Sequence, residues 1–281
     1  GLRTAARDSL LLQNATAANK GFIFGFHRAF DSLGAVLGPL LALGLLSIVN
    51  ENIRLVFFIA AVPAFIAVLL VILFVQEQTH SKGEKRAFPK LSWSLLQPKL
   101  RLFLLVNFVF ALGNSADAFL ILRAKQLGLT TTLAVLTYVL YNLSQTIFAT
   151  PAGSLTDKVG AKKVFAAGLL IFSLVYFLFG AINNPFWIWF IFPLYGIYIA
   201  FTDGVSKAYI SEFITEKESG TYFGLQQTLL AIGAFFASLF GGLLWSTFGS
   251  AFTFWYGSVM SLVAFIVFFC VSREQKSRNM L

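Results

Sequence analysis

Charge is what this sequence has least of. Asp, Glu, Lys and Arg make up 12% of its 281 residues, against 58% hydrophobic and 16% aromatic. Soluble domains carry about 25% charged residues. A soluble fold could not give so much apolar surface a polar exterior, which points to a polytopic membrane protein. Cysteine occurs once, at Cys270, so no intrachain disulfide is possible. Histidine occurs twice, at His27 and His80. No zinc-ligand spacing, HExxH helix or glycine-rich phosphate loop is present, so no metal and no cofactor is expected. The net charge of +9 does not read as nucleic-acid binding, because the Lys and Arg fall mainly between apolar runs.

Crossing a bilayer takes about 20 apolar residues. Eight such runs are expected, over roughly 21–49, 52–76, 99–124, 130–156, 162–182, 185–213, 219–248 and 251–272. Residues 1–14 read as the end of a further helix. Gly1 follows no methionine, and a longer chain is expected. The connections 1–20, 77–101, 157–163, around Lys217 and 273–281 hold most of the basic residues, and the alternate set holds Lys125 with Arg54 and Arg123 close by. The basic set is therefore expected in the cytoplasm, with the C-terminus. Residues 77–98, "EQTHSKGEKRAFPKLSWSLLQP", form the one long polar connection. It reads as a linker whose Leu91, Trp93, Leu95 and Leu96 lie at the membrane surface.

Residues 21–47 align with 220–246 at a constant offset of 199. Gly21/Gly220, Phe24/Phe223, Gly25/Gly224, Gly34/Gly233, Ala35/Ala234, Leu40/Leu239, Leu45/Leu244 and Ser47/Ser246 match. Parallel repeats about an axis along the membrane normal are a transporter architecture. If 21–47 is the fifth helix of such a protein, 220–246 is the eleventh, and 1–14 closes the fourth. The expected organisation is then 1–76 as the remainder of one bundle, 77–98 as a cytoplasmic linker and 99–281 as a six-helix bundle. Earlier helices, or a partner subunit, would complete the first bundle.

"GSLTDKVGAKK" (153–163) resembles the cytoplasmic loop motif of the major facilitator superfamily. "GAVLGP" (34–39) is similar to the Gly-Pro motif in helix five of its exporter branches, with Gly34, Gly38 and Pro39 as helix-packing residues. "LGNSADAFLILRAKQLG" (112–128) and "YGIYIAFTDGVSKAYISEF" (195–213) resemble uncharacterised bacterial carriers of the same superfamily. Ala161 stands where the loop motif often has a basic residue, and Lys162 and Lys163 keep the charge. The resemblance implies an all-α, two-bundle transporter in the bacterial inner membrane, a small-molecule substrate and no enzyme activity.

The residues support a gating role for the loop. Gly153 and Gly160 permit close approach and a tight turn. Asp157 can meet the positive N-terminus of a neighbouring helix, such as the one starting near Gly21. Lys158 or Lys162 can pair with Glu212. The alternative is a basic loop that serves only topology.

Charged side chains inside the bilayer cost about 2.5–3.5 kcal/mol on insertion scales and mark function. Arg28 and Asp31 are spaced i,i+3, and His27 and Asp31 i,i+4, so all three share a helix face. They either line the central pathway or form a structural ion pair. Arg28 and His27 would suit an organic anion or an amphiphilic drug-like compound. Asp203, one turn before Lys207, and Asp117, after Asn114, complete the deep carboxylates. Asp203, Asp117 and Asp31 are the proton-coupling candidates, in that order, with a fixed Asp203–Lys207 pair as the alternative. Tyr138, Tyr141, Asn142 and Gln145 form a polar stripe, and Gln226 and Gln227 offer uncharged partners.

The expected activity is secondary transport of a small solute by alternating access, coupled to protons, with export favoured. A truncated membrane subunit without transport is the alternative. An intramembrane enzyme is disfavoured, because no nucleophile or metal-binding helix accompanies the acids.

Overall fold

In a computed structural model, residues 2–50, 52–74 and 96–278 are described. Among them, eight segments are long and apolar enough to cross a membrane: Lys20–Ile48, Ile53–Phe74, Pro98–Gln126, Thr131–Val159, Ala161–Ala181, Pro185–Ser211, Ser219–Phe248 and Ser250–Cys270. The expected spans recur within a few residues. The chain is all-α over the described residues: α1 (Leu2–Gln13), α2 (Lys20–Ile48), α3 (Ile53–Phe74), α4 (Pro98–Gly113), α5 (Ala118–Gln126), α6 (Thr131–Val159), α7 (Ala161–Ala181), α8 (Ile188–Ser211), α9 (Ser219–Phe248) and α10 (Ser250–Arg278). Short 3-10 turns lead into α8 and α9. Most of the linker lies outside the described residues.

Two units emerge from the contacts: residues 1–36 with 91–281, and residues 37–90. In the larger unit, α1 and the first half of α2 pack with the later helices. In the smaller unit, α3 has no buried residue. Phe57, Phe58 and Phe74 are each more than 70% exposed. Such a surface is untenable in water and ordinary in lipid.

The larger unit has an aromatic interior. Phe103, Phe165, Phe172, Tyr176, Phe179, Phe192, Phe254 and Phe268 are almost completely buried. Their rings meet edge-on or stacked, as between Phe110 and Phe172 at 4.9 Å and Phe172 and Tyr176 at 3.9 Å. Leu96 joins this core, so its side chain packs against protein. An apolar side chain this close to α4 gains more by packing under it.

Local signals set the helix ends. The Thr130 hydroxyl accepts from the Leu133 amide at 3.3 Å and caps α6. Gly160, at φ +91°, turns the chain from α6 into α7. Arg123, buried near the end of α5, donates to the Phe179 and Ile182 carbonyls at the end of α7, at 3.1 and 2.6 Å. It thus caps α7 with a cation.

One expected helix is interrupted. The run 99–124 breaks after Gly113, and residues 114–117 leave the helix before α5 begins. The Asn114 amide donates to the Phe110 and Ala111 carbonyls at 3.1 and 3.2 Å, and the Ser115 amide to the Gly113 carbonyl at 3.2 Å. The Ala116 amide finds the Ser238 hydroxyl at 3.3 Å. Non-helical backbone at membrane depth is tolerated where protein satisfies it, and transporters place substrate and ion sites at such breaks.

α2 and α9 begin at Lys20 and Ser219, in the register of the repeat. Their matched glycines serve different contacts. A Cβ on Gly21 or Gly25 would collide with the backbone of Gly153 or Ala149 on α6. A Cβ on Gly233 would collide with Ala111 on α4. Among the described residues nothing lies within 4 Å of a Cβ on Gly34, Gly38 or Gly220. Among the described residues the close packing of α2 sits at Gly21 and Gly25, where Gly153 meets the start of the helix. Pro39 lies within α2.

Candidate functional site

The loop motif and the start of α2 form one contact. Asp157 Oδ1 accepts from the Gly21 amide at 2.7 Å and Oδ2 from the Phe22 amide at 2.8 Å. These amides have no partner inside α2, and the helix dipole favours an anion there. Only glycine at 21 and 153 lets the two backbones come close enough for this bond. Lys20 Nζ adds a second tie, donating to the Ser211 carbonyl at the end of α8 at 2.7 Å. Lys20 is also a cation whose field acts on Glu212. Desolvation by the surrounding protein pushes the Glu212 carboxyl above its ordinary range, and Lys20 opposes that shift. Lys158 is exposed, and the Lys162 ammonium lies over the Phe268 ring at 5.8 Å. Lys163 stands at the start of α7.

Deeper along α2, the charged triplet splits. Arg28 Nη1 meets Asp31 Oδ2 at 3.0 Å, the intrahelical pair that spacing suggests. Arg28 Nε meets Asp203 Oδ2 on α8, also at 3.0 Å. With the Gln145 amide turned to suit its neighbours, its oxygen accepts from Arg28 Nη2 at 3.0 Å. All three nitrogens of the guanidinium are thus engaged. Asp203 Oδ1 lies 3.6 Å from Lys207 Nζ, which meets Asp8 Oδ2 at 3.2 Å. Asp8 in turn contacts Arg7 at 3.1 Å. Arg7, Lys207 and Arg28 alternate with Asp8, Asp203 and Asp31, and the formal charges cancel along this chain. His27 is half-buried beside it.

Asp8 was missed by sequence reading. It sits between Arg7 and Ser9 in a segment that looked cytoplasmic, yet its side chain is 1% exposed. Only the three-dimensional partner, Lys207, distinguishes it from a surface acid.

Asp117 has different surroundings. It ends the break between α4 and α5. Tyr195 OH donates to Oδ1 at 2.7 Å and Tyr141 OH to Oδ2 at 2.8 Å. Asn114 Nδ2 donates to Tyr198 OH at 3.2 Å. Ser115 and Tyr176 share a hydroxyl contact at 3.3 Å. Among the described residues no cation comes within ion-pair distance of Asp117.

The polar stripe of α6 divides its work. Tyr141 reaches Asp117, Gln145 reaches Arg28, and Asn142 Nδ2 turns back to the Tyr138 carbonyl at 2.9 Å. Gln226 is buried and donates to Ser206 Oγ at 3.1 Å, while Gln227 is half-buried.

Comparison with known proteins now bears on this arrangement. The Major Facilitator Superfamily model matches residues 1–138 and again 102–279. An uncharacterised MFS-type transporter of Methanocaldococcus jannaschii is 32% identical over 271 residues, covering 94% of this chain and 67% of the relative. Multidrug resistance protein 2 of Bacillus subtilis is 29% identical over 49% of this chain and 34% of the relative. Multidrug resistance protein MdtG of Salmonella arizonae is 26% identical over 86% of this chain and 61% of the relative. The chain thus spans about two thirds, or less, of the length of these relatives. Family model, apolar spans and repeat agree: this multi-pass integral membrane protein belongs to the Major Facilitator Superfamily.

Proposed function

We propose that this chain acts in secondary transport of a small solute by alternating access, coupled to protons, with export the favoured direction. The observation that carries the reading is the Asp157 carboxylate on the Gly21 and Phe22 amides at 2.7 and 2.8 Å. A hydrogen-bonded carboxylate on a helix N-terminus, at a crossing of bare glycines, can separate as a unit without unfolding either helix. Lys20 on the Ser211 carbonyl and Arg28 on Asp203 would part in the same movement. The reading takes 1–76 and 99–281 as parts of two bundles, with the loop and the C-terminus in the cytoplasm and the protein in the bacterial inner membrane. Relatives named multidrug resistance proteins favour export.

Proton coupling falls to Asp117 in this reading. Asp203 has two cations for partners, whereas Asp117 has two phenols and, among the described residues, no cation at ion-pair distance. Asp31 and Asp203 serve the ion-pair chain that parts and reforms.

The test is uptake or efflux by the full-length protein in vesicles under an imposed pH gradient. Gradient-dependent transport that Asp117→Asn abolishes supports the reading. Transport indifferent to the gradient overturns the coupling. Loss of cycling with retained binding in Asp157→Asn supports the latch, and unchanged cycling overturns it.

A second reading, a membrane subunit that needs a partner, is favoured by α9. Gly220 occupies the register of Gly21, and among the described residues no neighbour approaches it. The intact mass of the protein from native membranes, with any co-purifying chain, separates the two readings.

A further inference from the structure

Arg123 is 6% exposed and, among the described residues, has no carboxylate at ion-pair distance. Its guanidinium is satisfied by neutral acceptors. Nε donates to the Phe179 carbonyl at 3.1 Å and Nη2 to the Ile182 carbonyl at 2.6 Å, both at the end of α7. Nη1 donates to Ser250 Oγ at the start of α10 and to Gln126 Oε1 on its own helix, each at 3.1 Å. A cation removed from water is costly without a counter-charge. Capping α7 does not require that burial, since water or a surface Lys can satisfy the last carbonyls of a helix. What the buried fork adds is direction. It fixes one helix against two others at once, which a flexible ammonium does less rigidly.

The helix so fixed is α5, with Asp117 at its N-cap. Leu120 and Ala124 bury its apolar face. Apolar contacts have no direction, and a short helix can tilt on them. Among the described residues Arg123 is the one side chain of α5 that hydrogen-bonds another helix.

Its acceptors belong to a stiff pair of helices. A Cβ on Gly180, between Phe179 and Ile182, would collide with Trp255 and with the Ala251 backbone on α10. Ser173 and Ser258 bond to each other's carbonyls across the same two helices, at 3.0 and 2.7 Å. Tyr176, one turn before Phe179, meets Ser115 in the break at 3.3 Å. On the other side stand α6 and α8, whose Tyr141 and Tyr195 reach Asp117 at 2.8 and 2.7 Å. Asp117 therefore lies between two helix pairs. It is tied to one through α5 and Arg123, and to the other through the phenols.

The length of α5 turns the tie into a lever. Asp117 and Arg123 are separated by about 9 Å along the helix. A tilt of about 10° about the Arg123 end would carry Asp117 by about 1.5 Å. Hydrogen bonds of 2.7 and 2.8 Å do not survive that displacement, because a contact near 3.6 Å or beyond is no longer a bond.

We infer that Arg123 is a positioning residue: by pinning α5 to the ends of α7 and α10, it holds Asp117 where both phenols reach it. The inference rests on the transport reading for the use made of Asp117, but the positioning itself needs no transport.

The experiment uses the full-length protein in lipid and reads Asp117 directly, as the infrared carboxyl band that Asp117→Asn removes. Arg123→Lys keeps the cation and loses the fork. It is expected to shift that band toward its position in Tyr195→Phe, where one phenol donor is gone. A double-mutant cycle gives a second readout. Arg123→Lys and Tyr195→Phe are expected to be non-additive, with a coupling of about fivefold or more in the unfolding equilibrium, whereas independent sites add to within about twofold. Ser250→Ala removes one acceptor of the fork and is expected to shift the band the same way by less. That variant decides the question if Arg123→Lys does not fold. A band unmoved in the folded variant, or an additive cycle, would leave Arg123 as a cap of α7 and overturn the inference. Gradient-driven transport alongside an unmoved band would leave the transport reading standing alone. A shifted band and a coupled cycle in a protein without gradient-driven transport would leave the positioning standing alone.

Discussion

Two carboxylates lie inside this protein in opposite company. Asp203 sits between Arg28 and Lys207, at 3.0 and 3.6 Å. Asp117 sits between Tyr195 and Tyr141, at 2.7 and 2.8 Å. Both are held by two neighbours. The charge of the neighbours makes them different. The first carboxylate is one member of a neutral chain, and its removal strands cations. The second is a lone charge steadied by dipoles, and neutralising it strands no opposite charge. Deep acids in transporters are therefore better sorted by their partners than by their depth.

The sharpest way to break the comparison is at the buried end of the chain. Lys207→Ala leaves Asp8, with a side chain 1% exposed, without its interior cation. Breaking a buried pair on one side costs about 3–5 kcal/mol. Denaturation of the detergent-solubilised protein should show a loss of this order, and a loss under about 1 kcal/mol would contradict the chain's energetic role. Next in size is Tyr195→Phe. It removes one of two donors to Asp117, a charged acceptor, and should cost about 1.5–3 kcal/mol. Stability unchanged in that variant would mean that the phenols do not hold the carboxylate.

The smallest effect on stability belongs to Asp117→Asn. The amide keeps partners for both phenols and removes the lone charge, so the change should stay below about 1 kcal/mol. The same variant should abolish proton-driven transport. Asp203→Asn provides the contrast: it leaves Arg28 and Lys207 short of a counter-charge and should destabilise more than Asp117→Asn does. Equal destabilisation by the two variants would erase the distinction.

Much of this was legible in the sequence, for a physical reason. Membrane spans follow from length and hydropathy, which are local properties, and the eight runs lie within a few residues of the helices. The repeat was legible because α2 and α9 start in the same register. Pairing within one helix was legible too, since i,i+3 spacing alone brings Arg28 to Asp31. What spacing does not hold is the approach of different helices. Arg28 to Asp203, Lys207 to Asp8 and Lys20 to the Ser211 carbonyl all cross between helices. The break at 114–117 was hidden as well. Asn114, Ser115 and Asp117 read as polar positions on a helix, and the Ser238 hydroxyl and the surrounding tyrosines, which meet the unwound turn, come from other helices.

The central claim is that α2 and α6 part at the Asp157 latch during the working cycle. It is tested most directly by spin labels at Phe22 and Val159, both exposed, in full-length protein whose exposed native Cys270 is replaced by serine. Double electron–electron resonance in lipid should give two separations whose populations change with pH. Asp157→Asn should shift the balance toward the longer one. A single short separation, unmoved by pH or by Asp157→Asn, would contradict the account.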